Sequence, residues 1–62
     1  MIDHVRKFEM IEAMRADGGS FIQALAECFA RADMANQARL EQAFPEYVEQ
    51  YLAIAGIRKG VR

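Results

Sequence analysis

The sequence predicts an all-α protein in which three or four short helices form a small bundle, completed by homodimerisation. Residues that favour helices, chiefly Ala, Glu, Gln, Arg, Leu and Met, dominate the chain, and β-branched residues are sparse. The single proline and the four glycines lie where they would separate helices rather than strands. A chain of 62 residues buries only about 60% of its surface on folding. A twofold dimer is therefore expected to supply further burial.

The chain is predicted to form one helical domain over residues 1–57, followed by a flexible basic tail over residues 58–62. Residues 17–49 contain six acidic and two basic side chains, whereas the tail contains three bases and no acid. An acidic middle repels a phosphate backbone, and three tail charges attract one only weakly. Nucleic acid is therefore not an expected partner.

The first helix is predicted to run from Asp3 to Ala16. Its large apolar residues recur every three positions, at Ile2, Val5, Phe8, Ile11 and Met14. Because this spacing drifts around a helix of 3.6 residues per turn, the side chains do not form one narrow stripe. A helix that is apolar on more than one side needs cover on more than one side, and a second subunit is the expected cover.

The stretch "DGGSFIQ" leads into the second helix, which has the clearest periodic pattern of the chain. A glycine pair before a helix can cradle a phosphate or turn one helix back onto another. Here a helix precedes the pair, no lysine follows it, and Asp17 places a negative charge beside it. We therefore expect Gly18 to end the first helix in a left-handed conformation. Ser20 and Gln23 are expected to form a capping box for the second.

The third and fourth helices are predicted from the residues at their ends. Asp33 is the expected N-cap of a third helix, in which Leu40 and Phe44 point inward. Pro45 suits the first position of a fourth helix, and Gly56 is the expected residue at its end. Eight residues are predicted to form the core or the dimer contact. They are Val5, Phe8, Ile11, Phe21, Leu25, Phe29, Leu40 and Phe44.

Catalytic, cofactor and metal sites are not expected. One cysteine and one histidine cannot close a zinc site, and Cys28 is expected to be a buried structural thiol. The carboxylate pairs Glu9/Glu12 and Glu46/Glu49 are expected on solvated helix faces, because acid–base catalysis requires a desolvated cleft. No apolar run approaches the roughly 20 residues that cross a bilayer, and no signal peptide is visible. We expect a cytoplasmic protein that is not an enzyme.

Tyr47 and Tyr51 suggest a protein-binding surface, since tyrosine offers a large area and a polar tip at interfaces. The alternative is that these rings close the core. A different class of function is a small helix-turn-helix DNA-binding regulator, because Asn, Gln and Arg side chains can read bases. Such residues are predicted to face outward on the second and third helices at Gln23, Arg31, Asn36, Arg39 and Gln42. Glu27 and Glu41 oppose that alternative, and no outward basic row accompanies them.

The stretch "MRADGGSFIQALAECFARADMANQARLEQAFPEYVEQY" resembles a group of small helical proteins encoded by proteobacterial phages and prophages. The shared pattern covers roughly residues 10–51 and consists of a GGSF element, an Ala-rich helix, a cap and an RL..AFPEY element. The matching positions are Gly18, Gly19, Ser20, Phe21, Asp33, Asn36, Arg39, Leu40, Ala43, Phe44, Pro45, Glu46, Tyr47 and Tyr51. The chain departs from the pattern at Met34, where proline is frequent, and at Val48, where an aromatic residue is frequent.

The group includes the quorum-sensing anti-activator type of Pseudomonas phages, a small helical dimer that binds a LuxR-type transcription regulator at its DNA-binding region. The resemblance therefore implies a phage protein that inhibits a host protein by stoichiometric binding in the bacterial cytoplasm. The partner-binding residues expected on this basis are Arg39, Glu46, Tyr47 and Tyr51. A structural or assembly role in the phage is a further possibility.

Overall fold

The computed structural model describes residues 2–60, with side chains through residue 57. Within these residues the chain forms four α-helices and no strand, which confirms the predicted all-α class. They are α1 (His4–Asp17), α2 (Ser20–Arg31), α3 (Met34–Ala43) and α4 (Pro45–Gly60). The radius of gyration is 10.7 Å, close to the roughly 10.6 Å expected of a compact domain of this length.

The central element is α1, which packs against both α2 and α4, while α3 packs against α4. In the described part of the chain, α2 and α3 do not pack on each other to a similar extent. Phe29, Met10 and Met14 are the largest fully buried side chains. They lie in a core to which Ile11, Ala13, Ile22, Leu25, Ala26, Val48, Tyr51 and Ala55 also belong.

Two helices begin at aspartate caps, because a carboxylate there satisfies an amide that has no partner within the helix. An Oδ1 atom of Asp3 accepts a hydrogen bond from the backbone N–H of Arg6 at 2.8 Å. Asp33 accepts one from the backbone N–H of Asn36, also at 2.8 Å. The predicted cap at Asp33 is therefore confirmed, as is Pro45 at the first position of α4.

The predicted capping box at Ser20 is wrong. Gly19 is the N-cap of α2, with an extended backbone (φ −78°, ψ −168°), and Ser20 is already the first helical residue. The backbone N–H of Gln23 donates to the Gly19 carbonyl at 2.9 Å. The side chain of Gln23 does reach back, but its Nε2 donates to the carbonyl of Gly18 at 3.1 Å.

The left-handed conformation predicted for Gly18 is also wrong. Its backbone is extended, at φ −93° and ψ 157°. Glycine is required here for a different reason, which is the close approach of the two helices. A Cβ atom at Gly18 would collide with the side chain of Ile22 and would lie 2.7 Å from the carbonyl oxygen of Met14. Gly18 thus allows α2 to turn back tightly against the end of α1.

Replacing Gly18 by alanine should lower the free energy of unfolding by about 1–3 kcal/mol, the usual cost of forcing atoms into a packed site. The matched control is Gly19→Ala. No described atom lies within 4 Å of a Cβ at Gly19, so this change should stay within about 1 kcal/mol of the parent. Urea denaturation followed by circular dichroism measures both. Equal effects of the two substitutions would contradict the close-approach explanation.

The predicted end of the last helix at Gly56 is wrong, because α4 continues to Gly60. A glycine inside a helix costs about 1 kcal/mol relative to alanine, which does not by itself end the helix. The predicted tail over residues 58–62 overlaps the last three residues of α4. Residues 61 and 62 lie outside the described residues. No helix over the described range is both long and apolar enough to span a membrane.

Candidate protein-binding surface

Three aromatic side chains meet where α2, α3 and α4 come together, and we call Phe21, Phe44 and Tyr47 the aromatic cluster. Phe21 lies in the first turn of α2, Phe44 connects α3 to α4, and Tyr47 lies in the first turn of α4. The ring centroids of Phe21 and Tyr47 are 5.8 Å apart, and each lies 6.2 Å from that of Phe44. Such pairs contribute about 0.5–1.5 kcal/mol each beyond area burial, so the cluster helps to fix the α2–α4 geometry.

Phe21 is the exposed member of the aromatic cluster, with 55% of its surface accessible. Phe44 and Tyr47 are half-buried, and the neighbouring Glu46 is exposed. Of the two positions predicted for Phe21, core or dimer contact, the core of a single subunit does not include it. Ile22 faces α1, and adjacent helical residues point about 100° apart, so Phe21 is directed away from the core. The cluster presents an aromatic surface beside a carboxylate.

Tyr47 and Tyr51, for which the sequence allows either a core or an interface position, differ in burial. Tyr51 is only 5% exposed and belongs to the core. The expectation that it contacts a partner is wrong, because one turn after Tyr47 the same face of α4 lies against the rest of the bundle. Tyr47 remains at the edge of the core, where it contacts the other two rings.

Arg39 is exposed and lies at a groove between α2 and α3, which we call the α2–α3 groove. The groove has a volume of about 420 Å³. It is lined by Cys28, Arg31 and Ala32 on one side and by Asn36, Arg39, Leu40 and Ala43 on the other. Cys28 is exposed, so the prediction of a buried thiol is wrong. The buried face of α2 is narrower than the sequence pattern suggested, and Cys28 lies beside it.

Glu27 on α2 pairs with Arg15 of α1 and with Arg31 of its own helix. Its Oε2 atom lies 2.7 Å from Nη2 of Arg15, and its Oε1 atom lies 3.4 Å from Nε of Arg31. Hydrogen bonds from Arg15 and then Arg31 hold the pKa of Glu27 below its ordinary value of 4.5. All three side chains are exposed, so the ion pairs contribute little to stability. The two arginines nevertheless neutralise the negative charge of Glu27 on the exposed face of α2.

The residues predicted for the core or dimer contact divide into three groups. Ile11, Leu25 and Phe29 are buried, whereas Leu40 and Phe44 are partly buried against the core. Phe21, Val5 and Phe8 are exposed in the single subunit. Val5 and Phe8 do not belong to the core of one subunit, because α1 turns Met10 and Met14 inward instead. The alternative of a dimer contact stays a prediction for both residues.

Val5 and Phe8 form an apolar surface on the outer side of α1. Their exposed fractions are 61% and 63%. Beside Phe8 lies a shallow depression of about 350 Å³. His4, Lys7, Phe8, Ile11, Arg15 and Ala30 line it. A small protein seldom leaves neighbouring large apolar side chains in water unless the surface meets something else.

One polar core residue was missed by sequence reasoning. Gln37 is buried, and its Nε2 atom donates to Oε2 of Glu41 at 2.9 Å and to the carbonyl of Ile2 at 3.4 Å. This amide fixes the N-terminal segment against α3. The spacing of Gln37 and Glu41, four residues apart on a helix, was the available signal.

In the part of the chain that the structure describes, no group of three or more His, Cys, Asp or Glu side chains is placed to hold a metal ion. The exposed features are instead the aromatic cluster, the α2–α3 groove and the outer side of α1. Comparison of the chain with protein-family models, curated proteins and solved structures gives no match.

Proposed function

We propose that this chain is a phage-encoded, stoichiometric inhibitor that binds a host protein through the aromatic cluster. The observation that supports it is the exposed ring of Phe21, held by Phe44 and Tyr47 at a junction of three helices. Aromatic side chains of this kind supply much of the binding energy at protein interfaces. A ring that is already fixed by its neighbours also loses little conformational freedom on binding.

The charge beside the cluster suggests the class of partner. Glu46 is exposed and directly precedes Tyr47, so a basic surface would complement it. DNA-binding domains carry such surfaces. Together with the resemblance described above, this favours the DNA-binding region of a LuxR-type quorum-sensing regulator as the host target. Binding there would make the chain an anti-activator.

We further propose that the active form is a homodimer whose contact is the outer side of α1. Val5 and Phe8 supply the apolar centre of this contact. The N-terminal half of α1 carries Arg6, Lys7 and Glu9 and has a net charge of +1, whereas its C-terminal half carries Glu12, Arg15 and Asp17 and has a net charge of −1. In an antiparallel pair of α1 helices, the basic half of each copy lies against the acidic half of the other. A twofold contact of this kind is self-complementary in charge.

The two tyrosines provide the test of the binding surface. Tyr47→Ala should weaken binding to the purified DNA-binding region of a host LuxR-type regulator by roughly tenfold or more, while leaving the protein folded. Tyr51→Ala should instead lower the free energy of unfolding by about 3–5 kcal/mol, because it removes a buried ring. Isothermal titration calorimetry and thermal melts separate the two effects.

Glu49→Ala serves as a control for Tyr47→Ala, since Glu49 is exposed on the same helix and is not part of the aromatic cluster. Unchanged binding by Tyr47→Ala would contradict the proposed contact. Tight binding of DNA with a steep dependence on salt would instead support the helix-turn-helix alternative.

A further inference from the structure

We propose that the α2–α3 groove receives a segment of the protein partner in which an aliphatic side chain lies next to a carboxylate. The aliphatic side chain would fill the groove, and the carboxylate would meet Arg39. This inference rests on the proposed function, since it specifies the chemistry of a partner that binds beside the aromatic cluster.

The groove has two defined ends. Ala32, in the turn between α2 and α3, lines one end. Ala43 lines the other and directly precedes Phe44, whose ring contacts Phe21 across the opening. The groove between these ends has a volume of about 420 Å³. A cavity of about 150 Å³ already holds a benzene-sized group, so one or two aliphatic side chains fit.

The lining of the groove combines apolar surface with one cation, Arg39, that is unpaired among the described residues. Leu40, Ala32 and Ala43 supply the apolar surface. Arg31 also lines the groove, and its Nε atom lies 3.4 Å from Oε1 of Glu27. Arg39 has no hydrogen bond or ion pair within the described residues. Its planar guanidinium group is suited to a carboxylate, which it can bind through two parallel hydrogen bonds.

The charges around the groove favour an acidic peptide segment over nucleic acid. Every charged residue that lines it is an arginine. A nucleic-acid site would need a row of cations along the phosphate backbone. This groove instead places one unpaired arginine, Arg39, beside an apolar surface. Beside the aromatic cluster, the carboxylate of Glu46 instead favours a basic residue of the partner. The inferred partner therefore carries a base near the aromatic cluster and an acid about half the length of α3 away.

A pair of synthetic peptides tests the inference with the full chain. Both are blocked 14-residue amphipathic helices with one face of leucine, flanked by glutamate in one peptide and by lysine in the other. Titration of the ¹⁵N-labelled protein by NMR should show that the glutamate peptide shifts the amides of Cys28, Leu40 and Ala43. The lysine peptide should bind roughly tenfold more weakly, because an attraction is replaced by a repulsion.

Two variants establish where the peptide binds. Arg39→Glu should reverse the preference between the peptides, whereas Gln50→Glu, which adds a negative charge at an exposed position on α4, should leave it unchanged. Ala43→Leu fills the groove and should abolish binding of both peptides. Arg39 and Ala43 are exposed, and circular dichroism checks that each variant remains folded.

Equal affinity of the two peptides, or an Arg39→Glu variant that keeps the glutamate preference, would overturn the inference. Amide shifts in the groove that depend on the concentration of the protein alone would also overturn it, by identifying a second copy as the occupant. Regulator binding that is lost in Tyr47→Ala but unchanged in Arg39→Glu would leave the proposed function intact and remove only the groove. Regulator binding unaffected by Tyr47→Ala, with glutamate-selective peptide binding, would remove the aromatic contact instead.

Discussion

Replacing Phe29 by alanine is expected to unfold most of the protein at 25 °C. Phe29 has no accessible surface and lies in the core with Met10 and Met14. Removing a ring from such a site costs about 3–5 kcal/mol, through lost transfer energy and the cavity that remains. A core of this size rarely supplies more than about 3–5 kcal/mol of stability. The loss is therefore comparable to the whole margin.

Phe21→Ala is the matched control, because it deletes the same ring from the same helix. Phe21 is 55% exposed, so its loss should cost only about 1–2 kcal/mol, chiefly the two aromatic contacts. Urea denaturation followed by the circular dichroism signal of the helices compares the stability of both variants with that of the parent. Similar costs for the two changes would contradict the placement of α2 against α1.

Phe8→Asp is expected to convert the proposed dimer into a monomer without unfolding it. Each twofold contact contains Phe8 twice, so one substitution removes two rings and places two carboxylates in an apolar contact. The dissociation constant should rise by roughly 100-fold or more. Because Phe8 is 63% exposed in the single subunit, the fold itself should lose little stability.

Met34→Asp is the control for Phe8→Asp, since Met34 is also an exposed apolar residue but lies at the start of α3. Sedimentation equilibrium at micromolar concentration should give twice the chain mass of 7.0 kDa for the parent and for Met34→Asp. Phe8→Asp should give the single mass. A parent protein that sediments as a monomer and unfolds cooperatively would refute the dimer.

Much of the fold could be predicted because local signals agree with the final packing. In α2, Ile22, Leu25 and Phe29 recur at helical spacing, and all three are buried. Asp33 and Pro45 define the ends of neighbouring helices through cap chemistry that needs no tertiary context. These are properties of a few adjacent residues, so one sequence is sufficient to identify them.

The errors arise where tertiary contacts decide between local alternatives. The sequence predicts a left-handed backbone at Gly18, whereas the close approach of Ile22 is what excludes a side chain there. Tyr47 and Tyr51 are the same residue type one helical turn apart, yet Tyr51 is buried in the core and Tyr47 is only half-buried at its edge. The aromatic cluster joins residues more than 20 positions apart, and its formation depends on how the helices cross. Periodicity within one helix carries no information about that crossing.

The sparse packing of α3 makes its stability partly independent of the rest of the fold. The core is built by α1, α2 and α4, whereas α3 is held by α4, the buried amide of Gln37 and the ring of Phe44. Segments with few buried contacts open at low free-energy cost while the rest of a domain stays folded. The groove wall formed by α3 can therefore shift without disturbing Phe29 and its neighbours. Substitutions of exposed residues on α3 are therefore expected to leave intact the fold that the other three helices maintain.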